Sequence, residues 1–320
     1  MTQQTILYNS KVNKVLDNIN LVMIGKQEAA TLSLVALLAQ GHVLLEDVPG
    51  VGKTMLVRTL AKSLDCEFKR IQFTPDLLPS DVTGVSIYNP KELEFEFKSG
   101  PIFGNVVLAD EINRTSPKTQ SSLLEAMEEK SVTVDGKTLS LQQPFFVMAT
   151  QNPIDYEGTY PLPEAQLDRF LLKLNMGYPS PEDELEMLNR TVKRHPIDQV
   201  QAVITKKELV EVQEQVQEVF IDEKVKRYIV QLVTGTREHQ AVYLGVSPRG
   251  SIALMKAAKS YAYIQNRDYV IPDDIQYLAP FVLAHRIILN SEARFQGISS
   301  DVVIKELLEK ISIPIRREHP

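Results

Sequence analysis

Five short apolar runs frame the first half of the chain: HVLLE (42–46), FKRIQF (68–73), VVLA (106–109), FFVMAT (145–150) and LLKL (171–174). Helical patterns or loops separate them. Strands that are apolar along their length have no face to offer water, so they belong in a sheet covered on both sides. Their alternation with helices calls for parallel connections. The first half is therefore expected to be α/β around a central parallel sheet. Residues 27–40, QEAATLSLVALLAQ, read as a largely buried helix stopped by Gly41 at its C′ position. Ser116 is a candidate N-cap with Pro117 at the first helical position, and Leu123, Leu124 and Met127 form an apolar stripe behind them. SVTVDGKTLSL, at about 131–142, reads as a hairpin turning at Asp135-Gly136. A hairpin that interrupts an α/β alternation is an insertion, and insertions often carry function.

The pattern changes near Tyr178, where YPSPEDE gives a proline-marked linker and an acidic first helical turn. Beyond it, residues 208–220, 222–238, 247–266, 272–289 and 300–311 all read as helices, with no convincing strand set. Two domains are expected, α/β over residues 1–178 and all-helical over 179–320, and the 320 residues suffice for both. Apolar residues at 43 % and charged residues at 24 % fit a soluble globular chain. The 35 basic and 41 acidic side chains leave a net charge of −6, which argues against a basic face for nucleic acid. One cysteine, Cys66, allows no internal disulfide and fits a reducing compartment. The first twenty residues lack the apolar core of a signal peptide, and no stretch is long enough to span a bilayer. The expected location is the cytoplasm.

The stretch LLEDVPGVGKT (44–54) nearly matches the phosphate-binding loop pattern G-x-x-x-x-G-K-[ST], except that Asp47 stands at the first glycine. An apolar run precedes it and a helical pattern, TMLVRTLAKSL, follows, which is the context that pattern requires. Backbone N–H groups of Pro49-Gly50-Val51-Gly52 and the helix start would face phosphates, although Pro49 itself has only a carbonyl to offer. Lys53 would reach the β- and γ-phosphates and Thr54 would ligate Mg²⁺, with Met55 completing the candidate stretch. Asp47 is tolerable if its carboxylate turns away from the phosphates. The plainer alternative is a strand-to-helix turn with a solvated lysine.

Two further strand ends and two arginines carry what such a loop needs. VVLADE ends in Asp110, suited to hold Mg²⁺ through water, and Glu111, suited to polarise an attacking water; two adjacent acids also occur in ordinary turns. FFVMATQNP ends in Asn152, whose amide can contact both water and phosphate, or which simply starts an Asn-Pro turn. Positive charge for the transition state is offered by Arg169 in PEAQLDRFLLK and by Arg249 in SPRG, either of which could instead pair with a structural carboxylate.

Taken together, GVGKT, VVLADEINR, MATQNP, YPLPEAQLDRF and GVSPRG resemble the AAA+ ATPases of the MoxR family, in order and over almost the whole chain. Loops similar to EDVPGVGKT occur in that family, which accounts for Asp47. The resemblance implies a P-loop NTPase core followed by a helical lid, with ATP and Mg²⁺ as ligands. It implies an insert at about 74–101 and a pre-sensor-1 hairpin at about 131–142. It makes Arg169 an arginine finger directed at a neighbouring subunit and Arg249 the sensor-2 arginine. Gly25 and Lys26, in VMIGKQE, resemble the segment bordering the adenine, and Asn113-Arg114 would face the subunit boundary. A homo-oligomeric ring, expected as a hexamer, follows.

The functional expectation is a chaperone-like ATPase that remodels, activates or assembles a partner protein, such as one with a von Willebrand factor A domain. The alternatives are the motor subunit of a metal-chelatase-like complex, a nucleic-acid-stimulated motor of the same clade, and a nucleotide-binding scaffold without turnover. The five histidines are scattered, so no resident transition metal is expected. Cys66 reads as a small packing residue, and Tyr261 and Tyr263 as packing residues of a helix.

Overall fold

A computed structural model describes residues 3–48, 50–152, 158–191 and 196–314. In chain order the first half runs α1 (Gln3–Val22), α2 (Gln27–Leu38), β1 (Val43–Glu46), α3 (Lys53–Ser63), β2 (Phe68–Gln72), α4 (Pro79–Thr83), β3 (Gly84–Asn89), β4 (Glu94–Ser99) and β5 (Val106–Asp110). It continues through α5 (Pro117–Glu129), β6 (Ser131–Val134), β7 (Lys137–Ser140), β8 (Phe146–Gln151), α6 (Glu164–Leu167) and β9 (Leu172–Leu174). The second half holds α7 (Pro181–Thr191), α8 (Lys206–Gln217), α9 (Glu223–Glu238), β10 (Val242–Leu244), α10 (Pro248–Ile264), α11 (Pro272–Leu283), β11 (Ile288–Leu289), α12 (Ser291–Phe295) and α13 (Ser300–Lys310).

The five apolar runs form one parallel sheet in the order β2-β5-β8-β1-β9. Successive side chains of a strand point to opposite faces, and here both faces are buried. Val43, Leu45, Val106, Leu108, Phe146 and Met148 join one apolar core with α1, α2 and α3. Leu44, Val107, Ala109, Val147 and Ala149 join the other, beneath α5. That two-sided burial is why the central strands β1, β5 and β8 are apolar almost throughout, whereas the edge strand β2 leaves Arg70 and Gln72 exposed. The helices after residue 205 extend the first core: Leu209 and Val212 of α8 and Leu254 and Ala257 of α10 belong to the same buried cluster as Leu34 and Leu37 of α2. Two buried hydrogen bonds cross the seam, from Gln213 Nε2 to the Leu37 carbonyl (2.8 Å) and from Ser260 Oγ to the Val35 carbonyl (2.8 Å).

Two antiparallel hairpins project from this frame, β3–β4 and β6–β7. The second turns at Asp135 (φ 51°) and Gly136 (φ 73°), the left-handed pair that a two-residue turn requires. Ser116 caps α5, accepting from the Thr119 N–H, with Pro117 at the first helical position. Tyr263 is buried and Tyr261 packs at a tilt against Tyr277 with ring centroids 5.0 Å apart.

Three details differ from the sequence-based expectation. The left-handed residue ending α2 is Gln40 (φ 54°), not Gly41. Gly41 is instead required by close packing, since a Cβ there would lie 2.5 Å from Leu171 Cβ. The helix read over 272–289 ends at Leu283, after an internal Pro280, and the chain then forms a 3₁₀ turn and β11. β11 pairs with β10, so a short antiparallel ribbon sits among the helices of the second half. No helix among the described residues is long and apolar enough to cross a membrane.

Candidate active site

The loop after β1 is shaped by two buried charges. Asp47 is 4 % exposed. Its Oδ1 accepts from the Val48 N–H (3.0 Å), and its Oδ2 accepts from the N–H groups of Met176 (2.5 Å) and Gly177 (2.9 Å) beyond β9. The carboxylate is thus engaged with backbone away from the loop's interior. Lys26, also buried, donates through Nζ to the carbonyls of Met176 (2.8 Å), Gly177 (3.0 Å) and Tyr178 (3.1 Å). Its ammonium therefore organises the 176–178 turn, and its contribution to the adjoining cavity comes from its stem.

Gly52 (φ 94°) is the N-cap of α3 and has no side-chain cap. The first N–H groups of a helix have no partner inside it, and here no capping side chain supplies one, so the start of α3 is suited to an anion. Gly50 (φ 88°) precedes it with open space where a Cβ would be. Pro49 lies outside the described residues. Lys53 Nζ donates to the Asp47 carbonyl at 2.7 Å. Burial pulls the Lys53 ammonium below the ordinary lysine range, while the carboxylates of Asp47, Asp110 and Glu111 pull it back up. The strand order puts β8 between β1 and β5, so Asn152 follows the strand between Lys53's loop and the two acids.

At the end of β5 the two carboxylates are held by neighbours. Thr150 Oγ1, on β8, donates to Asp110 Oδ1 (2.6 Å) and accepts the Glu111 N–H (2.8 Å). Arg70 Nη2 pairs with Asp110 Oδ2 at 2.6 Å. Glu111 takes a left-handed backbone (φ 59°, ψ 48°), and its Oε2 accepts from Gln72 Nε2 (2.9 Å) and lies 3.4 Å from Arg114 Nε. Asn113 Nδ2 donates to the Asn152 carbonyl (3.3 Å), and the Asn113 carbonyl accepts the Tyr160 N–H (2.7 Å). Buried Gln120 closes the set, donating to the carbonyls of Ile112, Thr115 and Tyr160. The loops after β5 and β8 are thereby tied together. A hydroxyl at Thr54 and a carboxylate at Asp110, both hard oxygen donors, fit an ion of the Mg²⁺ type.

Beside the loop lies a cavity of about 350 Å³, lined by Met23, Ile24, Val51, Met55, Tyr178 and Met187 among others. Its apolar walls suit a flat heterocycle. Gly25 (φ 66°) turns the chain between α1 and α2 here, and any Cβ on it would collide with the Asp183 carboxylate.

Arg169 and Arg249 stand elsewhere. The Leu171 N–H donates to the His42 carbonyl just before β1, so Arg169 is at the amino edge of the sheet. Lys53 follows the carboxyl end of β1, and four residues of strand, roughly 13 Å, separate the two edges. Arg249, at the start of α10, reaches the same edge: Arg169 Nη2 and Arg249 Nη2 each lie 3.1 Å from a carboxylate oxygen of Glu128, at the end of α5. His42 fixes this corner. The Val147 N–H donates to its Nδ1 (3.0 Å), so Nε2 carries the proton and donates to the Met127 carbonyl (3.2 Å). One group of predicted residues is therefore assembled at the carboxyl edge, and the two arginines are assembled apart from it.

Thr150, Gln72, Arg70 and Glu128 escape a reading of the sequence. Thr150 lies within the quoted run FFVMAT and Glu128 next to the apolar stripe of α5, but nothing local distinguishes either. Cys66 is half-buried, and burial pushes its thiol up to about 12, which leaves it inert at neutral pH.

The fold and this edge define a class, P-loop ATPases with a helical lid. Residues 42–172 match the model of the ATPase family associated with various cellular activities (AAA), and residues 234–307 match the AAA lid domain. The chain is 44 % identical to "Chaperone MoxR1" of Mycobacterium tuberculosis, over 92 % of this chain and 80 % of that one. It is 65 % identical to the uncharacterized protein YeaC of Bacillus subtilis, over 96 % of each. A crystal structure from Cytophaga hutchinsonii, of a protein named as a candidate ATPase, superposes with a TM-score of 0.92 at 44 % identity and covers 98 % of both chains. The chain belongs to the MoxR family of AAA+ ATPases.

Proposed function

We propose that this chain hydrolyses MgATP as one subunit of a homo-oligomeric ring, expected as a hexamer. Turnover would be coupled to the remodelling, activation or assembly of a partner protein, for which a von Willebrand factor A domain protein is the candidate class. The observation that carries the reading is the division of the machinery: Lys53, Asp110, Glu111 and Asn152 belong to one sheet edge, Arg169 and Arg249 to the other. A site complete in cations then needs two copies of the chain.

In this reading Gly50, Val51, Gly52 and the start of α3 receive the phosphates through backbone N–H groups, and Lys53 neutralises the β- and γ-phosphates. Thr54 and Asp110 are the side chains that would hold Mg²⁺, which when bound supplies charge neutralisation between those phosphates. Glu111 accepts the proton of the attacking water, a role worth about 10²–10⁴ in rate, and Asn152 orients that water. Arg169 of the adjoining subunit meets the charge that spreads over the transferred group, a contribution of about 10³–10⁵. The apolar cavity at Met23, Val51 and Met55 takes the base. The relative named Chaperone MoxR1 supports the chaperone-like part of the reading.

The test uses two inactive variants. Glu111→Gln subunits keep the finger but lose the base; Arg169→Ala subunits keep the site but lose the finger. Phosphate release is expected to be very low from each alone and to recover when they are mixed and reassembled. Mixtures no more active than their components would refute a finger supplied between subunits.

A further inference from the structure

Glu128 is an acid in the last turn of α5, where the negative end of the helix disfavours it. Its placement is explained by what it touches. One carboxylate oxygen, Oε2, is 3.1 Å from Arg169 Nη2 and the other, Oε1, is 3.1 Å from Arg249 Nη2. The two arginines come from different parts of the chain, one from the segment leading into β9 and one from α10 among the later helices. Without an anion between them, two guanidinium groups this close repel.

The later helices also grip the backbone that carries Arg169. Buried Arg286 pairs through Nε with Asp168 Oδ1 (2.7 Å), and through Nη2 it donates to the carbonyls of Phe170 (2.7 Å) and Asp168 (3.3 Å). Arg169 thus sits between two residues whose positions are set by Arg286, and its tip is joined through Glu128 to Arg249. Around them lies a recess of about 280 Å³ whose walls include Lys130 and Lys256 as well as the two arginines. The recess is open, cationic and on the edge away from the chain's own Lys53.

We propose that Glu128 is a positioning residue that holds Arg169 and Arg249 as one paired cationic unit, presented together to the phosphate of an adjoining subunit. The inference rests on the trans-finger reading above and adds to it the residue that makes the two arginines act jointly. A carboxylate shared by both tips preorders them without contacting the nucleotide itself.

The test is a cycle of phosphate-release measurements on the assembled full-length protein: Glu128→Gln, Arg249→Ala, their double variant and Arg169→Ala. Glu128→Gln is expected to lower kcat about tenfold, the equivalent of one lost ordered interaction in the transition state, with KM for ATP changed less than twofold. The double variant is expected to lose less than the product of the two single losses, because part of what Glu128 does acts through Arg249. Arg249→Lys, which retains the charge, is expected to recover part of the loss in the wild-type background and none in the Glu128→Gln background. Wild-type or faster turnover in Glu128→Gln, or losses that multiply in the double variant, would overturn the pairing. A slow Arg169→Ala beside an unaffected Glu128→Gln sinks the pairing alone; an unaffected Arg169→Ala sinks the finger and the pairing together. Thermal melting checks each fold, and Glu128→Ala replaces the glutamine variant if that one melts early.

Discussion

Asp47 and Lys26 hold opposite sides of one turn. The Asp47 carboxylate accepts the N–H groups of Met176 and Gly177, and the Lys26 ammonium donates to the carbonyls of Met176, Gly177 and Tyr178. The loop's departure from the general phosphate-loop pattern is therefore a structural substitution with its own partners. Asp47→Gly, which would restore the general pattern, strips a buried N–H group of its acceptor at a cost of about 1–3 kcal/mol. The expected result is a melting temperature lower by a few degrees and weaker ATP binding. An unchanged melting curve would show that the carboxylate does not hold the turn.

Thr150 joins the two acids of β5 through a single hydroxyl, which donates to Asp110 and accepts from the Glu111 backbone. Thr150→Val keeps the shape and removes both bonds. Because partners of this kind orient a site's ligands, kcat is expected to fall roughly tenfold or more. Thr150→Ser, which keeps the hydroxyl, is expected to stay within about threefold of wild type on the same scale. Equal activity of the valine and serine variants would remove Thr150 from the site's support.

His42 predicts an acid limit to stability. Burial lowers its pKa from 6.5 to about 4, and accepting the Val147 N–H at Nδ1 needs the neutral ring, whereas the bond to the Met127 carbonyl works against the shift. The unfolded chain binds this proton more readily than the folded one between those two values. Stability from this source is complete above about pH 6.5 and is lost as pH falls toward about 4, up to roughly 3 kcal/mol in all. His285 is also lowered by burial and acts in the same direction. Denaturant midpoints at pH 7 and pH 5 should therefore differ, and the difference should shrink, without vanishing, in His42→Gln. An identical pH dependence in the variant would assign the effect elsewhere.

The parts of the site that could be read from the sequence are those in which a few adjacent residues meet a local demand. The central strands are legible because burial on both faces makes nearly every position apolar, and the phosphate loop because glycines, a lysine and a helix start must be adjacent. Glu128 and Arg286 were not legible because their roles depend on partners distant in the chain. Arg286 meets Asp168 across 118 positions and otherwise contacts mainly backbone carbonyls, which carry no sequence signal. The end of α2 departs from the expectation for a related reason: glycine is the usual left-handed residue at a helix end, but Gln40 takes that conformation here and packing against Leu171 requires the glycine one position later.

The seam between α2 and the later helices has a mechanical meaning. Parting it would return side chains such as Leu37 and Leu254 to water at about 1.5–3 kcal/mol apiece and strand the partners of Gln213 and Ser260. A subunit joined in this way resists bending at that seam. In the proposed ring, movement driven by hydrolysis would then be taken up where copies abut, and the proposed client would feel whole subunits pivot rather than a flap open and shut.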